Sequence, residues 1–485
     1  MKEHAYLTLA NQIERLIDEG IYKAEEKLPS LRSLHKENGL SIGTILQAFN
    51  HLMDKDLIHS EEKSGYFVNH RSGKELPLPM PMPMTLSERT CKIDKLLQNL
   101  YRDGNKRTFV SFANALPDNR LLPFNSIKRA IQQVSRDSSG SYLMLEDRRG
   151  NAALRQEIAK RSFLWQGNVH ADDLLITNGA LEAIVCCLRA VTHEGDTVLI
   201  QDPCYFGIMQ ALECLNLKVA TIPSHPETGI DIAQLKTACE QLNIKACILV
   251  SNFNNPDGAC LDSNKKREIA AFANSQQIPV IEDDLYGDLF FEGSRPDTIK
   301  AYDNEGWVMY CSSFTKSLLP GFRLGWCIAG RFRYEVGRIK SMYNGSTSTF
   351  TQHIAEQLLS GGIYDRHLKQ IRIALQKNLI RTRTLIEHHF PHGTKISRPK
   401  GGLVLWVELP ETINTAALQN TVFDYGISYA PGELFSAKGD YKHYLRLSFC
   451  NLWEPKTETA LIKLGALFSV PQTSSEKSVG VASLC

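Results

Sequence analysis

The chain contains Ser312-Ser313-Phe314-Thr315-Lys316-Ser317-Leu318-Leu319-Pro320-Gly321-Phe322-Arg323-Leu324-Gly325-Trp326, the stretch that decides the fold of its larger part. Lys316 stands among hydroxyl side chains, and Arg323 follows seven positions later, after a Pro-Gly turn. This arrangement suits a lysine that forms a Schiff base beside donors that hold a phosphate. A lysine taken alone is usually a solvated surface residue. The neighbouring Ser313 and Arg323 favour a Schiff-base lysine over a surface residue.

Short apolar strands alternate with helical segments on both sides of this stretch. The predicted strands are 174–177, 197–200, 246–250, 279–281 and 308–310. Continuous apolar strands separated by helices indicate an α/β domain, residues 107–470, with a mostly parallel sheet covered on both faces. Polar motifs that follow such strands are expected to meet at the carboxyl edge of the sheet, where ligands bind.

Several of these motifs match the needs of pyridoxal 5′-phosphate (PLP). This cofactor takes a lysine amine, a carboxylate at its pyridine nitrogen, donors at its ring oxygen, an aromatic face and a phosphate cup. Lys316 could supply the amine, with a pKa lowered by burial and nearby positive charge. Asp283 could pair with the nitrogen, and Tyr286 could donate to the ring oxygen. The alternative for this pair is an ordinary acidic turn after a strand.

Two further turns follow strands. Asn255, in a segment with Asn-Pro and Asp-Gly steps, could place its amide on the same ring oxygen, although turn chemistry alone also explains it. The chain passes from strand to helix through Gly179, Ala180 and Leu181, whose N–H groups could hold a phosphate at a helix N-terminus. These signals are weak when each is taken alone.

Tyr205 and Arg446 are the last candidates in the large domain. Tyr205 could stack on the pyridine ring, and the alternative is a core tyrosine. Arg446 lies inside an apolar strand, where an unpaired cation is costly. It could hold a substrate carboxylate through two parallel hydrogen bonds, or it could belong to a buried salt bridge.

Residues 1–70 follow a different pattern. Apolar positions recur at helical spacing over 6–17, and Gly20 ends that helix. Ser30 is expected to cap a second helix through Lys36, and Ser41 a third that runs to about Met53. Two short strands, 57–60 and 65–68, would form a β-wing. The pattern predicts a winged helix-turn-helix.

Composition marks a boundary between the two domains at 71–106. Pro77, Pro79, Pro81 and Pro83 alternate with apolar residues, which favours an extended, polyproline-like linker. A helical stretch over 87–100 is expected to follow. The Ser-rich tail 471–485 is predicted to be disordered.

Bulk composition excludes several classes of protein. The chain has 485 residues, enough for two or three domains, and a formal net charge of +2, so any DNA contact must be local. None of its 12 cysteines forms a C-x-x-C pair, which predicts neither a metal site nor a disulfide framework. No signal peptide or membrane span is apparent. A cytoplasmic protein is expected.

The order of the motifs resembles a known arrangement. Over 110–470 the chain resembles the class I/II (fold type I) PLP aminotransferases, and residues 6–68 resemble the GntR winged helix-turn-helix. The two together resemble the MocR-type regulators. The resemblance makes Lys316 the Schiff-base lysine and Asp283 the pyridinium partner. It implies that Asn255 and Tyr286 donate to the ring oxygen and that Tyr205 stacks on the ring. It also implies that Ser313, Arg323 and the Gly179 turn hold the phosphate and that Arg446 binds the substrate carboxylate.

DNA contacts are expected from Arg32, Ser41, Thr44 and Lys63, whose alternative role is ordinary capping and solvated surface. Residues 1–70 contain eight Lys or Arg against eleven Asp or Glu, a net charge of −3. Non-specific attraction to DNA should therefore be modest for one copy.

These features lead to one functional hypothesis and two alternatives. The first is a PLP-dependent transcriptional regulator that binds operator DNA as a homodimer and senses PLP or an amino compound through an aldimine at Lys316. The second is a working aminotransferase with an accessory DNA-binding domain. The third is a DNA-binding protein whose large domain only dimerises.

Overall fold

A computed structural model of the protein describes residues 5–23, 25–55, 57–61, 64–69, 76–90 and 109–470. The predicted disordered tail, 471–485, lies outside these residues. The chain divides into two compact units. The first, here called the N-terminal unit, comprises residues 1–75 with 380–388, and the second, the large unit, comprises 76–379 with 389–485.

The N-terminal unit contains three helices and a two-stranded wing. Its elements are α1 (Ala5–Asp18), α2 (Leu31–Asn38), α3 (Ile42–Asp54), β1 (Ile58–Glu61) and β2 (Gly65–Val68). Ser30 and Ser41 cap α2 and α3, since each Oγ accepts a hydrogen bond of 3.1 Å from the backbone N–H three residues on. Gly39 ends α2 in the left-handed region, with φ +67°. The elements agree with the predicted winged helix-turn-helix.

One apolar core holds these elements together. Ile13 of α1 and Ile45, Phe49 and Leu52 of α3 are at most 5% exposed. The wing strands pair antiparallel, with Ile58 opposite Val68. Because the apolar residues of α3 recur every three or four positions, its opposite face remains outside the core.

The large unit contains an extensive set of helices and strands. Its helices are α4 (Phe124–Ser135), α5 (Ala152–Ser162), α6 (Ala180–Val191), α7 (Phe206–Cys214), α8 (Ile232–Gln241), α9 (Ser263–Gln276), α10 (Arg333–Asn344), α11 (Thr349–Ser360), α12 (Ile363–His389), α13 (Thr415–Asp424) and α14 (Pro455–Phe468). Residues 380–388 of α12 are the part of this helix that belongs to the N-terminal unit. Its strands are β3 (Val110–Ser111), β4 (Leu174–Thr177), β5 (Thr197–Asp202), β6 (Lys218–His225), β7 (Gly229–Ile230), β8 (Ile244–Leu249), β9 (Val280–Asp283), β10 (Val308–Ser313), β11 (Gly325–Ile328), β12 (Lys395–Ile396), β13 (Val404–Glu408), β14 (Ile427–Ser428), β15 (Ala430–Pro431) and β16 (Tyr444–Ser448). Across the described ranges, no helix combines the length and apolar character that crossing a membrane requires.

Eight strands form the main sheet, in the order β4-β11-β10-β9-β8-β5-β6-β7. Strands β10, β9, β8, β5 and β6 run parallel to one another, whereas β11 runs antiparallel to both of its neighbours. The mostly parallel sheet is as predicted, and all five predicted strands are present with slightly different ends. The sequence interpretation missed β6, β7 and β11.

Both faces of this sheet are covered by apolar clusters. Along β5, Val198 and Ile200 belong to one cluster, and Leu199 between them belongs to the other. Alternation of this kind places successive side chains on opposite faces. Helix α6 lies on the first face, and α8 and α9 lie on the second. Because both faces are covered, the polar residues at the carboxyl ends of the strands are left at the edge of the sheet, where a site can form.

A smaller four-stranded sheet, in the order β12-β13-β16-β15, lies in the C-terminal part of the large unit. Arg446 is the third residue of β16 and stands opposite Trp406 of β13. Strand alternation places Tyr444 and Arg446 on the same face of β16.

The described part of the predicted linker, residues 76–90, is here called the proline segment. It is extended as predicted, but it is attached to the large unit. The N–H of Ile396 donates to the carbonyl of Pro77 at 3.0 Å, and the hydroxyl of Tyr444 donates to the carbonyl of Met80 at 3.1 Å. Because proline offers no N–H, the segment accepts most of these bonds through its carbonyl groups.

The C-terminal half of the proline segment also pairs with the large unit. Arg89 and Val219 exchange two backbone hydrogen bonds, of 3.0 and 2.8 Å. Residues 87–90 are therefore extended, where a helix over 87–100 was predicted. The rest of that predicted helix lies outside the described residues.

Candidate functional site

A cavity of about 110 Å³ opens where β4, β5, β9 and β10 end. Twelve residues line it, eight of which the sequence had singled out: Ala180, Leu181, Ile184, Tyr205, Ile208, Asp283, Leu285, Tyr286, Ser313, Thr315, Lys316 and Arg323. Motifs up to about 140 residues apart in the chain therefore share one cavity, at the edge of the sheet where ligands bind in folds of this kind.

Lys316 is partly buried in this cavity, three residues after the end of β10. Its Nζ donates to the carbonyl of Ala115 at 2.8 Å. Burial lowers the pKa of Lys316 to about 8, and the positive charges of Arg446 and Arg323 act in the same direction. The amine is therefore partly neutral near physiological pH, as a nucleophilic lysine requires.

Asp283, at the end of β9, is 6% exposed. Burial raises its pKa to about 7, and the charge of neighbouring Asp284 adds to this effect, whereas Lys316 opposes it. Its Oδ1 has no hydrogen-bond partner among the described residues. A buried oxygen without a partner is costly. A cationic N–H facing Asp283 would satisfy that oxygen and favour its ionised form.

Tyr286, Asn255 and Arg446 form a hydrogen-bonded chain beside the cavity. The amide of Asn255 donates to the Tyr286 hydroxyl at 3.2 Å, and Arg446 Nη1 donates to Asn255 Oδ1 at 3.3 Å. Burial raises the pKa of Tyr286 well above its usual value, so the hydroxyl keeps its proton. It remains able to donate to an acceptor in the cavity.

Arg446 is 2% exposed. Its Nη2 donates to the carbonyl of Ala113, and within the described part of the chain its Nε has no partner and no aspartate or glutamate pairs with it. The buried salt bridge considered from sequence is therefore absent from the described residues. Burial lowers the pKa of Arg446, because no anion compensates its charge. The guanidinium is suited to an anion that comes from outside the chain.

Another part of the cavity lining is suited to an anion. Gly179, with φ +88°, precedes α6, whose first N–H groups belong to Ala180 and Leu181. A Cβ at Gly179 would lie 2.7 Å from Nη2 of Arg323. The backbone angle favours glycine here, and an added Cβ would also displace the guanidinium from its present position. The helix N-terminus and the arginine together favour a phosphate-sized anion.

The hydroxyl groups of Thr315 and Ser313 lie next to Arg323 in this anion-binding part of the cavity. Arg323 Nη1 donates to Thr315 Oγ1 at 3.4 Å, and the N–H of Thr315 donates to Ser313 Oγ at 3.2 Å. Sequence reasoning chose Ser313 and missed Thr315. Thr315 could have been chosen from the sequence, because it is a hydroxyl residue directly before Lys316.

Tyr205 precedes α7 and lines the cavity. A Cβ at Gly207 would lie 2.5 Å from the Tyr205 ring, so glycine permits the ring to pack over the start of the helix. Whether this ring stacks on a bound group stays a prediction.

A buried hydrogen-bond network that the sequence did not reveal lies behind the cavity. Arg295 donates to Asp284 at 2.6 Å and to Asp288 at 2.7 Å. The hydroxyl of Tyr364 donates to Asp288 at 2.8 Å and lies 2.7 Å from Ser317 Oγ. Arg295 holds two carboxylates that would otherwise repel each other in a poorly solvated interior.

The two ends of this network are direct neighbours of the site. Asp284 follows Asp283 in the chain, and Ser317 follows Lys316. The backbone positions of the candidate acid and the candidate amine are therefore tied together through side chains of α12 and of the loops that follow β9 and β10. No spacing rule in the sequence connects Ser317 with Tyr364, 47 positions away.

In the N-terminal unit, the structure places three of the four predicted DNA contacts. Arg32 and Ser41 are exposed, and Thr44 is half-buried. The hydroxyls of Ser41 and Thr44 lie 2.8 Å apart at the start of α3. Lys63 lies outside the described residues.

The residues of the cavity fit PLP. The unpartnered oxygen of Asp283 suits a protonated ring nitrogen, the amine of Lys316 suits an aldehyde, and the Gly179 cradle suits a phosphate. These three features lie in one cavity, at the carboxyl edge of a mostly parallel sheet. The fold and the site together define a fold type I aminotransferase-like domain that shares its chain with a winged helix-turn-helix.

Comparison with known proteins gives the family. Residues 112–464 match the family "Aminotransferase class I and II", and residues 5–68 match "Bacterial regulatory proteins, gntR family". The chain belongs to the MocR-type regulators of the GntR family, in which these two parts are joined.

Relatives share both parts. YdcR of Escherichia coli (strain K12), an uncharacterized HTH-type transcriptional regulator, is 35% identical over 95% of this chain and 98% of its own length. YjiR of the same organism, described in the same terms, is 36% identical over 94% of this chain and 96% of its own length. Aromatic-amino-acid aminotransferase 1 of Thermococcus litoralis is 28% identical, over 73% of this chain and 87% of its own.

Solved structures are similar to the large unit. The multiple substrate aminotransferase of Thermococcus profundus has a TM-score of 0.71 and 25% identity, covering 78% of this chain and 95% of its own. The kynurenine aminotransferase of Pyrococcus horikoshii, solved in complex with PMP, has a TM-score of 0.71 and 26% identity, covering 78% and 94%.

Proposed function

We propose that this chain is a PLP-dependent transcriptional regulator, which binds operator DNA through residues 1–70 and holds PLP and an amino compound in the cavity around Lys316. The proposed domains are the DNA-binding domain 1–70, the linker 71–106 and the aminotransferase-like domain 107–470. The family membership of both parts supports this proposal.

When bound, PLP supplies an aldehyde that bonds amines and a ring that accepts electrons. Lys316 is the amine that attaches to it, favoured by a pKa lowered to about 8. Asp283 would pair with the ring nitrogen, and Tyr286 with Asn255 would donate to the ring oxygen. Arg323, Ser313 and the N–H groups that follow Gly179 would hold the phosphate. Tyr205 would supply the aromatic face.

The observation that carries the proposal is the position of Arg446. Its buried guanidinium is 3.3 Å from Asn255, its electrostatic field reaches Lys316, and no carboxylate in the described ranges compensates it. A group of this kind binds a carboxylate through two parallel hydrogen bonds. The amino compound is therefore proposed to carry a carboxylate, as an α-amino acid does.

DNA binding rests on the N-terminal unit. Helix α3 is expected to enter the major groove, with Ser41 and Thr44 near phosphate at its start. Arg32 and Lys63 would contact the backbone of the duplex. With a net charge of −3 over residues 1–70, one copy should bind non-specific DNA weakly, and two half-sites would be needed for tight binding.

A homodimer is part of the proposal. Leu143, Met144 and Leu145 form a continuous exposed apolar run, at 76%, 70% and 93% exposure. Three adjacent exposed apolar side chains are typical of a surface that another molecule covers. A second copy of this chain, related by a two-fold axis, would cover it.

A catalytically active aminotransferase is the alternative, and the names of several relatives favour it. In that function Lys316, once released, would also move the proton between the substrate carbon and the cofactor. The cavity contains the residues that either function needs. Turnover therefore separates the two.

The deciding experiment follows the visible absorbance of the purified full chain and of Lys316→Ala as a panel of amino donors is added with a keto-acid acceptor. Product keto acid is counted for each site, and operator binding is measured on the same samples. A Lys316-dependent spectral change with at most one turnover, coupled to altered DNA binding, supports the regulator. Many turnovers without an effect on DNA binding support the alternative. No spectral change in either protein contradicts both.

A further inference from the structure

The exposed face of helix α3 is unusually apolar for a DNA-binding helix. Ile42 and Leu46 are 47% and 39% exposed, and they lie one turn apart at the N-terminal end of the helix. Gln47 and Asn50 are also exposed. A single exposed apolar residue needs no explanation, but two that line the part of the helix that contacts bases do.

The same helix lacks basic residues. Its sequence, IGTILQAFNHLMD, contains neither lysine nor arginine. Arginine and lysine make the commonest specific contact with guanine, through its O6 and N7 atoms. Helix α3 therefore has no side chain for this contact, whichever way it lies in the groove.

The side chains that α3 does expose match a different pair of bases. Thymine presents a methyl group in the major groove, and apolar side chains pack against it. Adenine presents an acceptor and a donor that a glutamine or asparagine amide bonds together. Ile42 and Leu46 suit the first, and Gln47 and Asn50 suit the second.

We propose that α3 recognises A·T base pairs, with Ile42 and Leu46 packed against thymine methyl groups and Gln47 bonded to adenine. The inference rests on the proposed DNA binding and adds the base composition of the half-site. The operator half-site is A·T-rich at the positions that α3 contacts.

Low charge strengthens the role of these contacts. The net charge of −3 over residues 1–70 gives little counterion release, so base contacts supply a large share of the affinity. Loss of one methyl contact is then visible in the binding constant. Burial of a group of that size is worth about fourfold in affinity.

The test uses the full chain in its PLP-loaded form. Duplexes with a randomised core are first selected on the protein, and the consensus is read. Each thymine of the selected half-site is then replaced, one at a time, by uracil, which lacks only the methyl group. Binding is measured for wild type, Ile42→Ala, Leu46→Ala and Ile21→Ala. Ile21 is 57% exposed and lies outside α3, so Ile21→Ala is the matched control.

We expect an A·T-rich consensus and a loss of about fourfold at one or two thymines in wild type and Ile21→Ala. In Ile42→Ala or Leu46→Ala that loss should disappear at one of those positions. Gln47→Ala should lose about tenfold of the preference for adenine at a neighbouring position.

Two outcomes overturn the inference while leaving DNA binding intact: a consensus with guanine at the contacted positions, or a uracil effect that Ile42→Ala and Leu46→Ala do not change. Failure to retain any sequence preference would instead overturn the proposed regulator function itself. The two failures are distinguished by the first selection step.

Discussion

Arg446 donates a hydrogen bond to the side-chain oxygen of Asn255 across 3.3 Å, and the amide of Asn255 donates onward to Tyr286. The guanidinium is thereby fixed in orientation without being neutralised. An uncompensated but well-oriented cation beside a lysine is the property from which the first prediction follows.

Replacing Arg446 by glutamine should weaken an α-amino acid ligand selectively. Truncation of one partner of a buried charge pair costs about 2–5 kcal/mol, which is at least about 30-fold in affinity. The amine formed from the same amino acid by loss of its carboxylate is the matched ligand. Titration of the visible absorbance should show the 30-fold loss for the amino acid alone. An equal loss for both ligands would mean that Arg446 acts on the fold and not on the carboxylate.

The amine of Lys316 should react at a lower pH than an ordinary lysine. Its pKa is lowered to about 8 by burial and then by Arg446, so the reactive neutral form is gained as the pH rises through 8. The rate at which cofactor-free protein combines with PLP should follow this midpoint in stopped-flow absorbance. In Arg446→Gln the midpoint should move upward. A midpoint near 10.5 in wild type would contradict the environment described.

Asp283 should lower the stability of the cofactor-free protein as the pH rises. Its folded pKa is about 7 against an ordinary value of 3.8, so the folded chain holds a proton that the unfolded chain has released. Stability therefore falls through this window. Between pH 4 and 7 Asp283→Asn should gain about 2–4 kcal/mol relative to wild type in urea unfolding. PLP should reverse the order, because it favours the carboxylate of the wild type. A constant difference across the window would refute this account.

Arg295→Met should be strongly destabilising, since it leaves the buried Asp284 without the cation that binds it, whereas Asp288 keeps Arg161 at 3.6 Å. Breaking such an arrangement costs about 3–5 kcal/mol. Lys160, whose side chain is 68% exposed and 2.6 Å from Glu157, gives the matched control. Lys160→Met should change stability by less than about 1 kcal/mol. Urea unfolding monitored on the large unit measures both variants, and similar values for the two would show that the network contributes little.

Gly179→Ala should weaken cofactor binding through a steric effect. The added Cβ would lie 2.7 Å from Arg323 and would also adopt φ +88°. Gly439→Ala, at φ +75° with open space around it, shares the backbone strain without the collision. PLP affinity, measured by equilibrium dialysis, should fall about tenfold or more in Gly179→Ala and stay unchanged in Gly439→Ala. Equal effects would assign the role of Gly179 to backbone strain alone.

Local patterns in the sequence predicted much of the fold. Ser30, Gly39 and Ser41 act through neighbours within five residues, so the limits of α2 and α3 could be read directly. The parallel strands were visible as apolar runs. Strand β11 was hidden, because Gly325 and Trp326 were interpreted as part of the lysine motif.

The site was predicted as a set of residues but not as a set of pairings. Arg446 could be recognised as a buried cation, yet its lack of a carboxylate partner among the described residues depends on which segments pack around β16. Arg295 and Tyr364 gave no signal, because their contacts join distant segments. The attachment of the proline segment was missed for the same reason: the alternation of prolines predicts an extended backbone and says nothing about where its carbonyls find donors.

Strand β16 has one feature whose effect reaches beyond the cavity. Tyr444, which fastens the carbonyl of Met80, and Arg446 stand two positions apart on the same face, about 7 Å along a single rigid strand. A ligand that shifted the position of β16 would therefore also affect the hydrogen bond between Tyr444 and the proline segment. Coupling between two ligands is reciprocal: a partner whose binding loosened the segment at Met80 would change the affinity of the cavity ligand by the same factor by which that ligand changes the affinity of the partner. A change at Tyr444 is thus expected to reach a cavity that Tyr444 does not line.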